Sequence, residues 1–173
     1  MPNRSIHSNV RNRTLFLTQA SLIAALYVVL TYIAQMMGLA SGAIQVRFSE
    51  TLAILPYFLG AAVPGLFVGC IIANILTSGN PFDIVFGSLA TLAASIFTYG
   101  FGLRGWKWLA PIPAIVINAI VIPFVIRYGF GAPNSIPFLM LTVGAGQIIS
   151  CGVLGYPLLY TLDWYRKAIF GKK

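Results

Sequence analysis

Two oppositely charged residues, Arg47 and Glu50, stand three positions apart at the start of an apolar run in the stretch IQVRFSETLAILP, residues 44–56. The rest of the sequence avoids charge: only 8% of residues are charged, and three of the 173 are acidic. A second acid, Asp83, ends the polar segment TSGNPFD just before another apolar run. Charged side chains beside membrane-length apolar segments are costly and commonly mark a binding site or a transport path.

A carboxylate accepts two parallel N–H donors, which matches the amidine-like edge of a guanine-type base, and a second carboxylate can hold a cationic substituent. Glu50 and Asp83 are therefore candidate ligand acceptors. Polar side chains within apolar segments extend the set, and aromatic rings nearby are suited to stacking on a flat heterocycle. These further candidates are Gln35, Asn74, Asn118 and Gln147, with Tyr32 and Phe86 as aromatic residues.

A purely structural role is open for each candidate. Glu50 follows Ser49 at a predicted helix start, where a carboxylate is favoured by the helix dipole, and Asp83 is placed to cap the next helix. Arg47 either pairs with Glu50 or, like Arg127, reaches the lipid headgroups. Amides in apolar helices also form helix-to-helix hydrogen bonds, and aromatic residues at helical spacing commonly pack in a core.

Composition predicts an all-α integral membrane protein. Hydrophobic residues make up 58% of the chain and the mean hydropathy is +0.87, far above the roughly 45–50% apolar content of soluble domains. Apolar runs cover residues 14–37, 48–76, 84–103, 109–128 and 138–163. The second run overshoots the bilayer as one helix, and GAAVPG interrupts it, so we expect two helices there and six spans in total.

Charge distribution predicts the orientation, because Lys and Arg mark the cytoplasmic side of membrane proteins. Six spans place nine of the eleven basic residues inside and leave Arg47 and Arg127 outside. Both termini are then cytoplasmic: a basic tail over residues 1–13, a membrane domain over 14–168 and a basic tail over 169–173. A net charge of +8 spread over tails and short loops does not predict a nucleic-acid partner, which requires a basic face on a soluble domain.

Motifs for catalysis or energy conversion are not found in the sequence. It contains no phosphate-binding loop, no G-x-S-x-G, no H-E-x-x-H and no paired Cys and His residues, so we expect neither an enzyme nor a metal site. Cys70 and Cys151 are predicted to pack in the core. Ala20 and Ala24 form a small face on the first helix, which permits close approach either by an external partner or by another helix of the same chain.

The stretches IQVRFSETLAILPYFLGAAVPGLFVGCIIANIL and PFDIVFGSLATLAA resemble the QueT family, the queuosine-precursor group of substrate-binding S components of energy-coupling factor transporters. The resemblance extends over about Thr14 to Tyr165. It implies a six-helix subunit that takes up a deazaguanine precursor or queuine from outside, then docks on a T component that carries two ATPase subunits and topples to release its ligand inward. No cofactor is implied for this chain, since ATP is used by the partner subunits.

In that framework Glu50, with Asp83 as the second choice, is expected to accept the guanine-like edge, while Gln45 and Asn74 complete the pattern. Arg47 would orient Glu50 or gate its loop. The resemblance also assigns Ala20 and Ala24 to docking on the T component. Two other functions stay open: a stand-alone secondary transporter or channel, and a membrane assembly subunit without a ligand.

Overall fold

The chain forms a bundle of helices. The computed structural model describes residues 3–39 and 45–166, with side chains from residue 10 onward, and no β-strand occurs in these ranges. In chain order the elements are α1 (Asn3–Met36), a 3-10 helix (Phe48–Tyr57), α2 (Ala62–Thr77), α3 (Ser88–Arg104), a 3-10 turn (Lys107–Leu109), α4 (Ile112–Phe124), α5 (Ile136–Gln147) and α6 (Gly155–Trp164).

Three π-helical segments connect or extend these helices. Asp83–Gly87 leads into α3, Val125–Gly129 continues α4, and Ile148–Val153 joins α5 to α6. A π segment inserts an extra residue into a helical turn and often occurs at a functional site. Asp83 of the first segment and Val125 and Ile126 of the second line one cavity. Ser150 of the third segment accepts a hydrogen bond from the N–H of Arg47, another residue of that lining.

The predicted break in the long second apolar run is confirmed. Helical structure stops after Tyr57 and resumes at Ala62, and Pro64 lies in the first turn of α2, where its missing N–H costs no helical hydrogen bond. The first of the two pieces differs from an ordinary span. It is a 3-10 helix of ten residues, which rises about 20 Å and is shorter than the roughly 30 Å hydrocarbon core.

Four helices of the described chain are long and apolar enough to cross a membrane: Val10–Met36, Asp83–Arg104, Lys107–Gly129 and Ile136–Trp164. α2 is apolar but shorter. The chain is thus an all-helical, multi-pass membrane protein, whereas the count of six crossings remains a prediction.

The 3-10 helix lies at the centre of the bundle. Eight of its ten residues are buried, and it packs against α1, α3, α6 and the Ile148–Val153 segment. Its apolar residues, among them Leu52, Ile54 and Leu55, join Leu66 of α2 and Leu159 of α6 in the main hydrophobic core. The predicted burial of Cys70 and Cys151 is also confirmed. The centre of the bundle therefore holds an element that is shorter than a typical membrane span.

The small face of α1 packs against α2 of the same chain. A Cβ built on Gly65 would lie 2.7 Å from the carbonyl oxygen of Ala20, and one built on Gly69 would lie 3.0 Å from the Cα of Ala24. Ala24 is only 8% exposed. Of the two roles open for this face, the structure shows the internal one, and small residues on both helices allow the close approach.

We expect Ala24→Trp to lower the melting temperature of the detergent-purified protein, because the indole would have to displace α2 and overpacking a close contact typically costs about 1–3 kcal/mol. Ala25→Trp is the matched control, since Ala25 is exposed on the neighbouring side of the same helix turn. Equal melting temperatures for the two variants would contradict the tight α1–α2 contact.

Candidate ligand-binding site

A cavity of about 380 Å³ opens at the end of the bundle where the 3-10 helix and α3 begin. We call it the outer cavity. Its polar lining comes from Thr31, Gln35, Gln45, Arg47, Thr77, Ser78 and Asp83. Its apolar side is formed by Ile122, Val125, Ile126 and Phe130. The volume lies within the range of about 300–1,000 Å³ that is typical of small-molecule sites.

Asp83 is the buried acid of the outer cavity. It is 2% exposed, and its Oδ2 lies 3.8 Å from Nη2 of Arg47, a separation too long for a hydrogen bond. No hydrogen-bond partner for this oxygen exists among the described residues. A buried carboxylate oxygen without a donor is costly, so Asp83 is well suited to accept N–H groups from a molecule in the cavity.

Local structure around Asp83 leaves space for its carboxylate. Asn74 of α2 donates from Nδ2 to the backbone oxygen of Asp83 at 2.9 Å and so fixes the start of the π segment. A Cβ built on Gly87 would lie 2.9 Å from Oδ1 of Asp83 and 3.1 Å from Nδ2 of Asn74. A side chain at position 87 would therefore press against the Asp83 carboxylate and the Asn74 amide.

Glu50 lies deeper and already has donors on both carboxylate oxygens. The Tyr27 hydroxyl donates to Oε1 at 2.7 Å, and Nδ2 of Asn118 donates to Oε2 at 3.2 Å. The thiol of Cys151 also donates to the backbone oxygen of Glu50 at 3.3 Å. Helices α1 and α4 and the π segment after α5 are thereby joined to the 3-10 helix through one residue.

A second, much smaller cavity of about 20 Å³ adjoins Glu50. We call it the inner chamber. Its lining includes Glu50, Cys70, Thr91, Asn118 and Gln147 and also Gln45 and Arg47, which line the outer cavity too. The Oδ1 atom of Asn118 has no hydrogen-bond partner within the described chain. The inner chamber thus contains a polar group that a ligand or a water molecule can satisfy.

The segment that carries Gln45 and Arg47 rests on α5 and the π segment that follows it. A Cβ built on Gly146 would overlap the carbonyl oxygen of Gln45. The N–H of Arg47 donates to Oγ of Ser150 at 3.2 Å, and Oγ1 of Thr51 donates to the backbone oxygen of Ser150 at 3.1 Å. These contacts fix the backbone of the segment, while the Arg47 side chain remains 22% exposed.

The third acid, Asp163, lies at the opposite end of the bundle. It forms ion pairs with Lys107 and with Arg166, and Nζ of Lys107 also lies 4.2 Å from the ring centroid of Tyr160. Both charges near Asp163 come from residues at helix ends. This cluster ties the loop before α4 to the end of α6.

The arrangement has the groups that bind a small polar molecule. One buried carboxylate, Asp83, and the amides Gln35 and Gln45 line the cavity of ligand size, and Glu50 lies in the smaller chamber beside it. The described residues contain no group of three or more His, Cys, Asp or Glu side chains that could hold a metal ion. Such a site can accept N–H donors from a small polar molecule, and its aliphatic wall can cover a flat ring.

Comparison with known proteins supports a transport role. The sequence model of the QueT transporter family matches residues 17–164. The chain belongs to the QueT transporter family. A relative named queuosine precursor transporter QueT, from Lactococcus lactis subsp. cremoris (strain MG1363), is 33% identical over 82 residues, which cover 47% of this chain and 48% of the relative. The matched region thus spans about half the length of that curated relative. No solved structure matches the chain.

The structure brings most of the predicted site residues of this QueT family member together in two layers. Gln45 and Arg47 line both cavities, Asp83 lines the outer one, and Glu50, Asn118 and Gln147 line the inner one. Asn74 supports Asp83 from behind. The Arg47–Glu50 pairing considered from the sequence is not among the ion pairs of the described chain, where Arg47 faces Asp83 instead.

Besides Asn74, three predicted residues lie outside these cavities. Tyr32 is 54% exposed, and Phe86 belongs to a separate apolar groove with Phe82, Phe124 and Tyr128. Arg127 is exposed and donates to the backbone oxygen of Ala132. Their contribution to ligand binding stays a prediction.

Sequence reasoning missed Tyr27, Thr31 and Ser150. Tyr27 is 2% exposed and Thr31 lines the outer cavity one turn further along α1. A tyrosine in the middle of an apolar span was an available signal, because its buried hydroxyl needs a partner. Ser150 gave no such signal, since a serine in an apolar helix commonly bonds back to its own helix.

We expect Tyr27→Phe to destabilise the protein by about 1–3 kcal/mol, the typical cost of leaving a buried acceptor without its donor. Tyr32→Phe is the control, because Tyr32 is an exposed tyrosine on the same helix. Thermal unfolding in detergent measures both. If Tyr27→Phe unfolds at the wild-type temperature, Glu50 does not depend on the Tyr27 hydroxyl.

Proposed function

We propose that this chain binds a queuosine precursor, a deazaguanine or the free base queuine, in the outer cavity. The observation that supports this most directly is the buried Asp83, which lines a cavity of about 380 Å³ and whose Oδ2 has no hydrogen-bond partner within the described chain. The amidine-like edge of a guanine-type base carries parallel N–H donors that fit a carboxylate. The name of the Lactococcus lactis relative, queuosine precursor transporter, supports the same ligand class.

Asp83 and Glu50 have different tasks in this proposal. The sequence alone favoured Glu50, but both of its oxygens already accept hydrogen bonds from Tyr27 and Asn118. Asp83 lines the outer cavity directly and makes the first contact. Glu50 contributes as the deeper acceptor, together with the free Oδ1 of Asn118.

We further propose that the cavity opens to the outside and that both chain ends are cytoplasmic. Supporting this, Arg104, Lys107 and Arg166 lie at the helix ends opposite the cavity, and basic residues concentrate on the cytoplasmic side of membrane proteins. The 3-10 helix and α2 would then form two crossings, which gives six.

The transport role proposed here is that of an S component of an energy-coupling factor transporter. The sequence contains no phosphate-binding loop, so energy from ATP must come from a T component and its two ATPase subunits. Because α2 buries Ala24 but leaves Ala20 partly exposed, docking through α1 would use Ala20 together with the exposed Ser21 and Ala25 beside it.

Titration calorimetry with 7-aminomethyl-7-deazaguanine tests the binding site. We expect Asp83→Asn to weaken binding about ten- to hundredfold, because a hydrogen bond to a charged group contributes about 1.5–3 kcal/mol, and Glu50→Gln to weaken it as well. Asp163→Asn is the matched control at the other end of the bundle and should bind like the wild type. Unchanged affinity in both cavity variants would remove the acids from the site, and a wild type that binds no deazaguanine would contradict the function.

Reconstitution tests the transport role. Proteoliposomes that contain the lone chain should bind the radiolabelled precursor without accumulating it, whereas co-reconstitution with a T component and two ATPase subunits should give uptake that requires ATP. Ion-gradient-driven uptake by the lone chain would instead establish the stand-alone transporter. If neither preparation binds or transports the precursor, the ligand-free assembly subunit is favoured.

A further inference from the structure

Arg47 is the charged residue shared by the two cavities. It lines both the outer cavity, which contains Asp83, and the inner chamber, which contains Glu50, as do the uncharged Gln45 and Ile122. The inner chamber measures about 20 Å³, which is enough for about one water molecule. A bicyclic base therefore does not fit in the inner chamber in this conformation.

The guanidinium of Arg47 resembles the N–H edge of the proposed ligand. It is planar and presents a row of N–H donors, as does the amidine-like edge of a guanine-type base. Its hold on Asp83 is weak, because the closest approach of the two groups is 3.8 Å and a hydrogen bond of this kind is normally about 2.7–2.9 Å long. A ligand that offers shorter bonds to Asp83 can replace it.

We propose that Arg47 is a displaceable partition, which stands where the N–H edge of the ligand binds and swings aside to join the two cavities into one site. The backbone below it does not need to move, since Gly146 and Ser150 hold residues 45–47 against α5 and the segment after it. The ligand step rests on the proposed function, whereas closure of the inner chamber by Arg47 does not.

The native cysteines allow a direct test. Cys70 lines the inner chamber, while Cys151 is buried outside its lining. A small methanethiosulfonate reagent modifies accessible thiols, and peptide mapping by mass spectrometry measures the rate at each cysteine. Arg47→Ala should increase the rate of Cys70 modification by at least about tenfold, because the side chain that closes the inner chamber is then absent. Cys151 serves as the internal control for unfolding. Arg127→Ala, which removes the other arginine of this end, should leave both rates unchanged.

A second pair of variants keeps the test decisive if Arg47→Ala fails to fold. Gly146→Ala forces the backbone beneath Arg47 to shift, because its Cβ would overlap the Gln45 carbonyl oxygen, and should also expose Cys70. Gly144→Ala is the matched control on the same helix, where the nearest atom to a Cβ is 3.7 Å away. Wild-type rates of Cys70 modification in both Arg47→Ala and Gly146→Ala would overturn the partition.

The ligand arm uses 7-aminomethyl-7-deazaguanine as the probe. It should slow Cys70 modification in Arg47→Ala, because the ligand then fills the opened chamber. If calorimetry shows that the wild type binds this compound but Cys70 in the variant stays fully reactive, displacement into the inner chamber is wrong and the proposed function stands. If the wild type binds nothing, the proposed function fails, and the rates without ligand still decide whether Arg47 closes the chamber.

Discussion

The buried Glu50 carboxylate is the constraint around which the centre of this bundle is organised. A carboxyl group removed from water must be compensated by hydrogen bonds or opposite charge. Here the compensation comes from Tyr27 on α1 and from Asn118 on α4, while Cys151 contacts the Glu50 backbone. Because these donors belong to separate helices, satisfying one acid fixes the relative position of three parts of the bundle. A purely apolar 3-10 helix would not specify that arrangement.

The helices around Glu50 pack closely because their backbones approach each other at glycine residues. In a membrane, packing between helices gains little from the hydrophobic effect and depends on van der Waals contact, so small residues at interfaces matter more than in water. Gly65 and Gly69 bring α2 against α1, Gly102 brings α3 against the carbonyl oxygen of Tyr57, and Gly146 brings α5 against Gln45. The elements that border the cavities are thus held by contacts that leave no room for a side chain.

The sequence predicted where the helices lie better than it predicted which type of helix each one is. Apolar length and the Gly60 and Pro64 break located most helix ends to within a few residues, because these signals are local. They missed the start of α1, which begins at Asn3 rather than at residue 14, and the division of the last apolar run into α5 and α6. The same signals could not distinguish a 3-10 helix from an α-helix at residues 48–57, or reveal the π segments, since both depend on packing in the bundle. The polar residues near Glu50 and Asp83 were found because polar groups are rare in an apolar chain. The partner of each acid could not be predicted in the same way. Arg47 faces Asp83, which is 36 positions further along the chain, and not Glu50, which is three positions away, because the tertiary structure determines which carboxylate lies next to the guanidinium.

The three acids also show how the same chemical group serves different purposes at the two ends of the bundle. Asp163 is partly exposed and has two cations beside it, so its charge is compensated and its effect is to hold a loop to a helix. Asp83 is almost fully buried, with one distant cation and an oxygen that lacks a hydrogen bond. Burying a carboxylate with so little compensation costs stability, and a fold specified only for stability would gain by replacing it. Under the proposed function that cost has a physical purpose, because a carboxylate oxygen that accepts no hydrogen bond, on a backbone fixed by Asn74, would bind a donor without first breaking a hydrogen bond of its own.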